Sequence, residues 1–333
     1  MKNKKILIVR FSSIGDIVLT TPVIRCIKKQ SEQTEIHYLT KKSYKELLEH
    51  NPYLDKIITI DKNISEVVAE LKHENYDLII DLHNNLRTFF LKIQLRKPCV
   101  SFRKLNFKKW LYVNFKINLL KQSSVVERYM ETLKRYGIAY DGKGLNYFLN
   151  KDSDILKKFN IDKTFIAFVI GAKFATKSLP EEKIIAVCSN SLAQIILIGG
   201  KEDREKGNRI SEQTHGKCVN LCGYLSLNES AAVLKESTLV IANDTGFMHI
   251  ATAFNKPLIS VWGSTTPELG FAPLFSDDKK NLSFIVQAEN VSCRPCSKIG
   301  YQHCPKKHFN CMNGIKEERI IRLVKEVMSQ EKS

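Results

Sequence analysis

Short apolar runs of strand length alternate with stretches of helical period along this chain, and the alternation occurs twice. The first series places apolar runs at residues 5–10, 35–39, 56–60, 78–81 and 99–102, with helix-like segments at 17–29, 43–50 and 64–73. The second places them at 165–170, 194–199, 218–222, 238–242 and 257–262, with helices expected at 229–236 and 248–254. A period that switches from short β-branched runs to 3.6-type spacing and back means βαβ units and parallel sheets. The polar, glycine-containing stretch YDGKGLN at 140–146 separates the two series. A chain of 333 residues is long for one core. The expected architecture is therefore α/β with two successive Rossmann-like domains, residues 1–145 and 146–333. The second ends in an amphipathic helix at 315–328, with apolar residues three and four apart. Two such halves imply a cleft between them, with ligands at the carboxyl ends of the strands.

Charge narrows the range of partners. Hydrophobic content of 43% and charged content of 26% are ordinary for a globular chain, but a formal charge of +17 points to an anionic partner. Nucleic acid, an acidic membrane surface and phosphorylated small molecules all fit that description. The excess is concentrated: residues 82–126 contain no Asp or Glu. The same stretch carries Arg87, Lys92, Arg96, Lys97, Arg103, Lys104, Lys108, Lys109, Lys116 and Lys121, interleaved with Phe89, Phe90, Phe102, Phe107, Trp110, Tyr112 and Phe115. Basic residues mixed with aromatics suit single-stranded nucleic acid or an anionic headgroup layer. No apolar run approaches the roughly 18 residues needed to span a bilayer, and no secretory signal is convincing. The expectation is a cytoplasmic protein, and nine cysteines in such a chain read as reduced thiols.

Three segments carry chemistry. RFSSIGDIVLTTP at 10–22 follows the first strand and opens a helix, with a single glycine, Gly15, and then a carboxylate, Asp16. A strand, a turn and a helix usually cradle phosphate, and an acid is a poor neighbour for one. NDTG at 243–246 also ends a strand and opens a helix, and free backbone N–H groups at Thr245 and Gly246 would bind an anion. His249 faces the same helix end. A plainer alternative has Asp244 capping the helix and His249 packed in the core. GAKFATKSLP at 171–180 puts Lys173 and Lys177 on a loop after another strand, as a diphosphate clamp or as solvated lysines. Neither GxxxxGK[ST] nor GxGxxG occurs. In LIGGKEDRE at 197–205, Glu202 is placed to bind ribose hydroxyls or to cap a helix.

Taken in order, RFSSIGDIVLTTPVIRCIK, DLHNNLRT, VVERYMETLKRYGI, KSLPEE, LIGGKEDRE, NDTGFMHIATAFNKPLISVWG and the cysteine-rich CRPC…CP…CM tail resemble the lipopolysaccharide heptosyltransferases, glycosyltransferase family 9, over nearly the whole chain. The resemblance implies a GT-B fold of two facing Rossmann-like domains with an interdomain cleft, acceptor bound by the first and nucleotide-sugar donor by the second. It also implies inverting transfer of heptose from ADP-heptose onto the inner core of lipopolysaccharide, with no cofactor and no catalytic metal. In that family the acid of the GD turn is the proposed base, and here it is Asp16. Lys177 would neutralise the leaving diphosphate, Thr245 and Gly246 would hold phosphate oxygens, and Asp244 and His249 would contact sugar or phosphate. Glu202 is matched to ribose and Leu225 to adenine. Lys173 would compensate for Ala172, where some members carry a hydroxyl. Arg87, Arg103, Lys104, Lys108 and Lys109 are the acceptor candidates. The implied partners are ADP-heptose and an anionic lipopolysaccharide precursor at the cytoplasmic face of the inner membrane, with no nucleic acid.

Other readings stay open. A transferase of the same fold could use a different nucleotide sugar, and the basic aromatic segment could belong to a nucleic-acid-binding module. Cys293, Cys296, Cys304 and Cys311 could hold zinc or an iron–sulfur cluster, although their intervals differ from paired CxxC ribbons and the resemblance implies no required metal.

Overall fold

The computed structural model describes residues 3–120, 123–150, 155–161 and 163–330; Lys121 of the basic stretch lies outside them. The chain forms two compact units, one of Met1–Leu105 with Ser123–Asn150, the other of Asn106–Gln122 with Lys151–Ser333. This division and the boundary read from the sequence at 145/146 are different lines, chiefly because the helix Asn106–Phe115 groups with the later unit.

In the first unit, β1 (Lys5–Val9), β2 (Glu35–Lys41), β3 (Lys56–Ile60), β4 (Leu78–Asp81) and β5 (Cys99–Ser101) form one sheet in the order β3-β2-β1-β4-β5. Every pairing is parallel. Ile6, Leu7, Ile8 and Val9 on β1 and Leu78, Ile79 and Ile80 on β4 are all buried, as expected for central strands covered on both faces by helices. The expected single helix at 17–29 is two, Ile14–Val18 and Thr21–Gln30, with Thr20 as the second N-cap and Pro22 in its first turn. The segment expected as a helix at 43–50 is a 3₁₀ stretch, Lys42–Leu47.

In the second unit, β6 (Phe165–Val169), β7 (Gln194–Ile198), β8 (Cys218–Asn220), β9 (Leu239–Asn243), β10 (Leu258–Trp262) and β11 (Ser283–Gln287) are ordered β11-β10-β9-β6-β7-β8, all parallel. Numbered from its own first strand, this sheet reads 3-2-1-4-5-6, the Rossmann order, and the first sheet has the same order less one strand. β11 went unrecognised in the sequence because it is an edge strand with a half-exposed SFIVQ pattern. The terminal helix Glu317–Gln330 buries Ile320, Val324 and Val327 on one face, completing the core beneath β9 and β11.

Strand order locates the sites. Chain connections leave the sheet in opposite directions on either side of the first strand of each unit, opening a crevice at the strands' carboxyl ends. In the first unit that point lies beyond β1 and β4. In the second it lies beyond β6 and β9.

Candidate active site

At the first switch point the chain leaves β1 through Arg10 and turns into the helix Ile14–Val18, with Ser13 as N-cap and Asp16 as third helical residue. Asp16 Oδ1 lies 2.7 Å from Arg10 Nη2, and its side chain keeps 22% of its surface exposed. Asp16 Oδ2 accepts from the Ser13 backbone N–H at 3.3 Å and from the Ser13 hydroxyl at 2.9 Å. Arg10 also donates from Nε to the Ser12 carbonyl at 2.7 Å and from Nη1 to the Leu82 carbonyl at 2.6 Å. One guanidinium thus ties together the loops that follow β1 and β4. Burial pushes the Asp16 carboxyl up, but the Arg10 charge and the Ser13 hydrogen bonds outweigh it and hold the group below the ordinary carboxylate range. Asp16 is therefore ionised at neutral pH, the state a proton acceptor requires.

The β4 side of the same crevice is carried by DLHNNLRT, of which the sequence reading singles out Arg87 but not Asp81 or His83. Asp81 is fully buried, accepts from the backbone N–H groups of His83 at 3.0 Å and Asn84 at 2.7 Å, and pairs with Lys92 at 3.0 Å. That carboxylate shapes the turn presenting His83, whose ring meets the edge of Phe11 at 5.2 Å between centroids. Nδ1 of His83 is buried without a hydrogen-bond partner. Burial, with the Arg10 and Lys104 charges, pushes His83 down to about 4, so the imidazole is neutral at physiological pH. Of the acceptor candidates, Arg87 stacks 5.4 Å from the Phe11 ring and Lys104 lies close enough to act on His83, so both belong to this crevice. Arg103 is exposed. Lys108 and Lys109 belong to the second unit's helix, where Lys109 is buried with its ammonium 5.0 Å from the Phe271 ring.

At the second switch point, Lys177 ends the 3₁₀ turn Ala175–Lys177 after β6, and its Nζ lies 2.7 Å from Asp244 Oδ2 beyond β9. The Thr265 hydroxyl donates to the same carboxylate oxygen at 2.6 Å. Asp244 is not a helix cap: the N-cap of Gly246–Ala253 is Thr245, whose Oγ1 is buried without a hydrogen-bond partner. The helix therefore opens on unfilled backbone donors beside a lysine, an arrangement that accepts an anion. His249 is buried within the first turns of that helix. Lys173 is exposed and lies 5.6 Å from the Phe174 ring. Glu202 is also exposed, whereas its neighbour Asp203 turns inward and accepts from the Gly200 N–H at 2.8 Å. A Cβ at Gly171 would lie 2.2 Å from Asp203 Oδ2, so a side chain there would displace that carboxylate. Leu225 is half-buried beside the exposed Tyr224, over which the Arg204 guanidinium stacks at 4.2 Å.

All nine cysteines are free thiols. Among the described residues the one trio of candidate metal ligands gathered within 4.8 Å is Glu35, His37 and Glu74, not a set drawn from the cysteine-rich segment. Lys5 and Lys56 already bridge Glu74 at 2.6 Å each, so that trio is an ion-pair network at the amino-terminal edge of the first sheet.

Residues 64–301 match the model of glycosyltransferase family 9 (heptosyltransferase). The chain belongs to this family. Among its relatives, lipopolysaccharide heptosyltransferase 1 of Campylobacter coli is 26% identical, over 98% of this chain and all of that one. Two solved structures share the fold. The family 9 glycosyl transferase of Veillonella parvula has a TM-score of 0.79 at 21% identity, covering 99% of this chain and 98% of that one. The ADP-heptose lipopolysaccharide heptosyltransferase II of Escherichia coli has a TM-score of 0.74 at 20% identity, covering 99% and 100%. The expected GT-B class holds, built from two Rossmann-ordered parallel sheets. The protein is a glycosyltransferase of the heptosyltransferase family.

Proposed function

We propose that this family 9 glycosyltransferase moves heptose from ADP-heptose onto the inner core of a lipopolysaccharide precursor, with inversion at the anomeric carbon. The observation that carries the reading is the pairing of chemistries at the two switch points: an ionised, partly exposed carboxylate at one, and a lysine beside an open helix N-terminus at the other. In the reaction we infer, an acceptor hydroxyl oxygen attacks the anomeric carbon as the bond from that carbon to the diphosphate oxygen breaks. Asp16 takes the hydroxyl proton, and ADP leaves with the bonding electrons. Negative charge grows on the diphosphate during that step. Lys177 and the N–H groups at Thr245 and Gly246 stabilise it more strongly in the transition state than in the ground state, with no metal ion assigned a role in the chemistry.

Asp244 fits a supporting part. It holds the Lys177 ammonium and is itself fixed by Thr265, which ties the lysine to the residue just before the N-cap of Gly246–Ala253. His249 contacts sugar or phosphate, Lys173 supports the diphosphate, Glu202 holds ribose, and Leu225 packs on adenine. Arg87 and Lys104, with Arg103 and Lys108, recognise the phosphates and carboxylates of the acceptor, which sits in the cytoplasmic leaflet of the inner membrane. Similarity to an ADP-heptose enzyme and to a lipopolysaccharide heptosyltransferase supports both substrates.

Thermal stabilisation by ADP, UDP, GDP and a single-stranded oligonucleotide tests the donor, and mass spectrometry of the product tests the sugar. ADP is expected to raise the melting temperature most. Lys177→Ala should weaken ADP binding about tenfold, the loss of one charge-assisted contact. Preference for UDP or GDP would mean another nucleotide sugar. A response to the oligonucleotide alone would overturn the transferase assignment of the basic surface.

A further inference from the structure

The cysteine-bearing segment 288–309 contains neither helix nor strand, although it is long for an irregular connection. Its hydrogen bonds go to the loop after β6, which lies at the second switch point, and to the neighbouring loop after β10. On the β6 side, the Tyr301 N–H donates to Thr176 Oγ1 at 2.8 Å, the Thr176 N–H donates to the Tyr301 carbonyl at 3.1 Å, and Gln302 Nε2 donates to the Lys173 carbonyl at 3.0 Å. On the β10 side, the Cys296 N–H donates to the Ser264 carbonyl at 2.9 Å. The two loops are also joined to each other, by the Ser264 N–H to the Thr176 carbonyl at 3.0 Å and by the Ser264 hydroxyl to Thr176 Oγ1 at 2.8 Å. A Cβ at Gly263 would lie 2.4 Å from the Thr176 carbonyl oxygen, so the approach depends on glycine.

Arg294, between the first two cysteines of the tail, is the centre of this strap. Its Nε donates to the Gly263 carbonyl at 2.6 Å and its Nη1 to the Ala288 carbonyl at 3.1 Å. Its Nη2 reaches the carbonyls of Trp262 at 3.3 Å and Thr265 at 3.1 Å, and Gln287 Oε1 at 3.0 Å. The planar fork of a guanidinium can serve this many acceptors at once, which a lysine cannot. Thr265 is held through its carbonyl by Arg294, and through its hydroxyl it holds Asp244, which holds Lys177.

We propose that Arg294 is a positioning residue for donor binding, acting through Thr265 and Asp244 on Lys177. The inference rests on the donor reading above and goes beyond it, because it gives the cysteine-rich segment the role of bracing the anion clamp. The brace also reaches the helix Asn106–Phe115, because Lys116 Nζ donates to the carbonyls of Cys293 at 2.9 Å and Pro295 at 2.8 Å. Thr266 Oγ1 lies 3.4 Å from the hydroxyl of Tyr112 on that helix.

The test is a mutant cycle read by ADP titration and by donor KM and kcat, on Arg294→Lys, Thr265→Val, the double variant and Lys177→Ala. Arg294→Lys and Thr265→Val should each weaken ADP binding, by about tenfold at most for one lost charge-assisted hydrogen bond. The double variant should be no weaker than the worse single, because both changes cut one chain of contacts. Donor KM should rise while kcat for bound donor falls less. Losses that multiply in the double variant, or a lowered melting temperature with unchanged ADP affinity in Arg294→Lys, would overturn the proposal. Thr265→Val keeps the test decisive if Arg294 variants fold poorly: unchanged ADP affinity there breaks the path. Unchanged affinity in Lys177→Ala would instead overturn the donor reading itself, and this inference with it.

Discussion

Asp16 carries an arginine partner, and that partner sets how well the carboxylate would serve in the proposed role of base. Arg10 keeps the carboxylate ionised, but it also lowers the affinity of Asp16 for the acceptor proton. Removing Arg10 leaves burial, which pushes the carboxyl the other way. Arg10→Gln should therefore move the acid limb of the kcat/KM profile to higher pH, since the pKa that controls loss of activity on acidification is raised. A limb that stays in place would show that Asp16 is not the group being titrated. Asp16, Lys177 and Asp244 were legible in the sequence because each closely follows a strand that reads as buried. Arg10, Asp81, His83, Thr265 and Arg294 were not, because what makes them matter is contact across long sequence separations. Arg10 meets Leu82 from the next crevice strand, and Arg294 meets Trp262 and Thr265 from a neighbouring loop. The alternative that Asp244 caps its helix could be settled only by geometry, which gives that position to Thr245.

At the level of elements, the helix Asn106–Phe115 is divided by use. One face holds Lys109 and Tyr112, which meet Phe271 and Thr266, and Lys116 just past the helix end meets the cysteine-rich segment of the second unit. The other side exposes Phe107, Trp110 and Phe115, with Trp110 5.3 Å from Phe115 and 6.1 Å from Phe107 between ring centroids. In the first unit the helix Leu86–Leu95 likewise exposes Leu86, Phe89, Phe90 and Ile93. Among the described residues no helix is long and apolar enough to cross a membrane. Exposed aromatics in a stretch free of acids suit the interface of an anionic bilayer instead. Cosedimentation with vesicles containing anionic lipid should exceed that with neutral vesicles and fall with salt. Replacing Phe107, Trp110 and Phe115 together by Ser should weaken it by about tenfold or more, given the apolar area withdrawn from lipid. Equal binding to neutral vesicles, or an unaffected triple variant, would contradict this role. The sequence showed the basic aromatic composition of this segment but not its attachment to the second unit, which depends on partners more than 150 residues away.

For the whole molecule, the alternation of apolar runs was enough to read two Rossmann-like units, and both sheets have the corresponding strand order. Strand order in turn puts Asp16 beyond β1, Lys177 beyond β6 and Asp244 beyond β9, at the strand ends where a parallel sheet binds ligands. The edges of the units were less legible, since Asn106–Gln122 departs from the first series and joins the second. The proposed chemistry divides the labour between the units: a carboxylate in one accepts the proton, while the other holds the leaving diphosphate. Single-turnover transfer by Asp16→Asn, measured alongside its ADP dissociation constant, tests that division without intermediate steps. ADP affinity should equal the parent's, and the transfer rate should fall by about two to four orders of magnitude, the range for a lost general base. Transfer at the parent rate by a folded Asp16→Asn variant, or a loss confined to ADP binding, would contradict it.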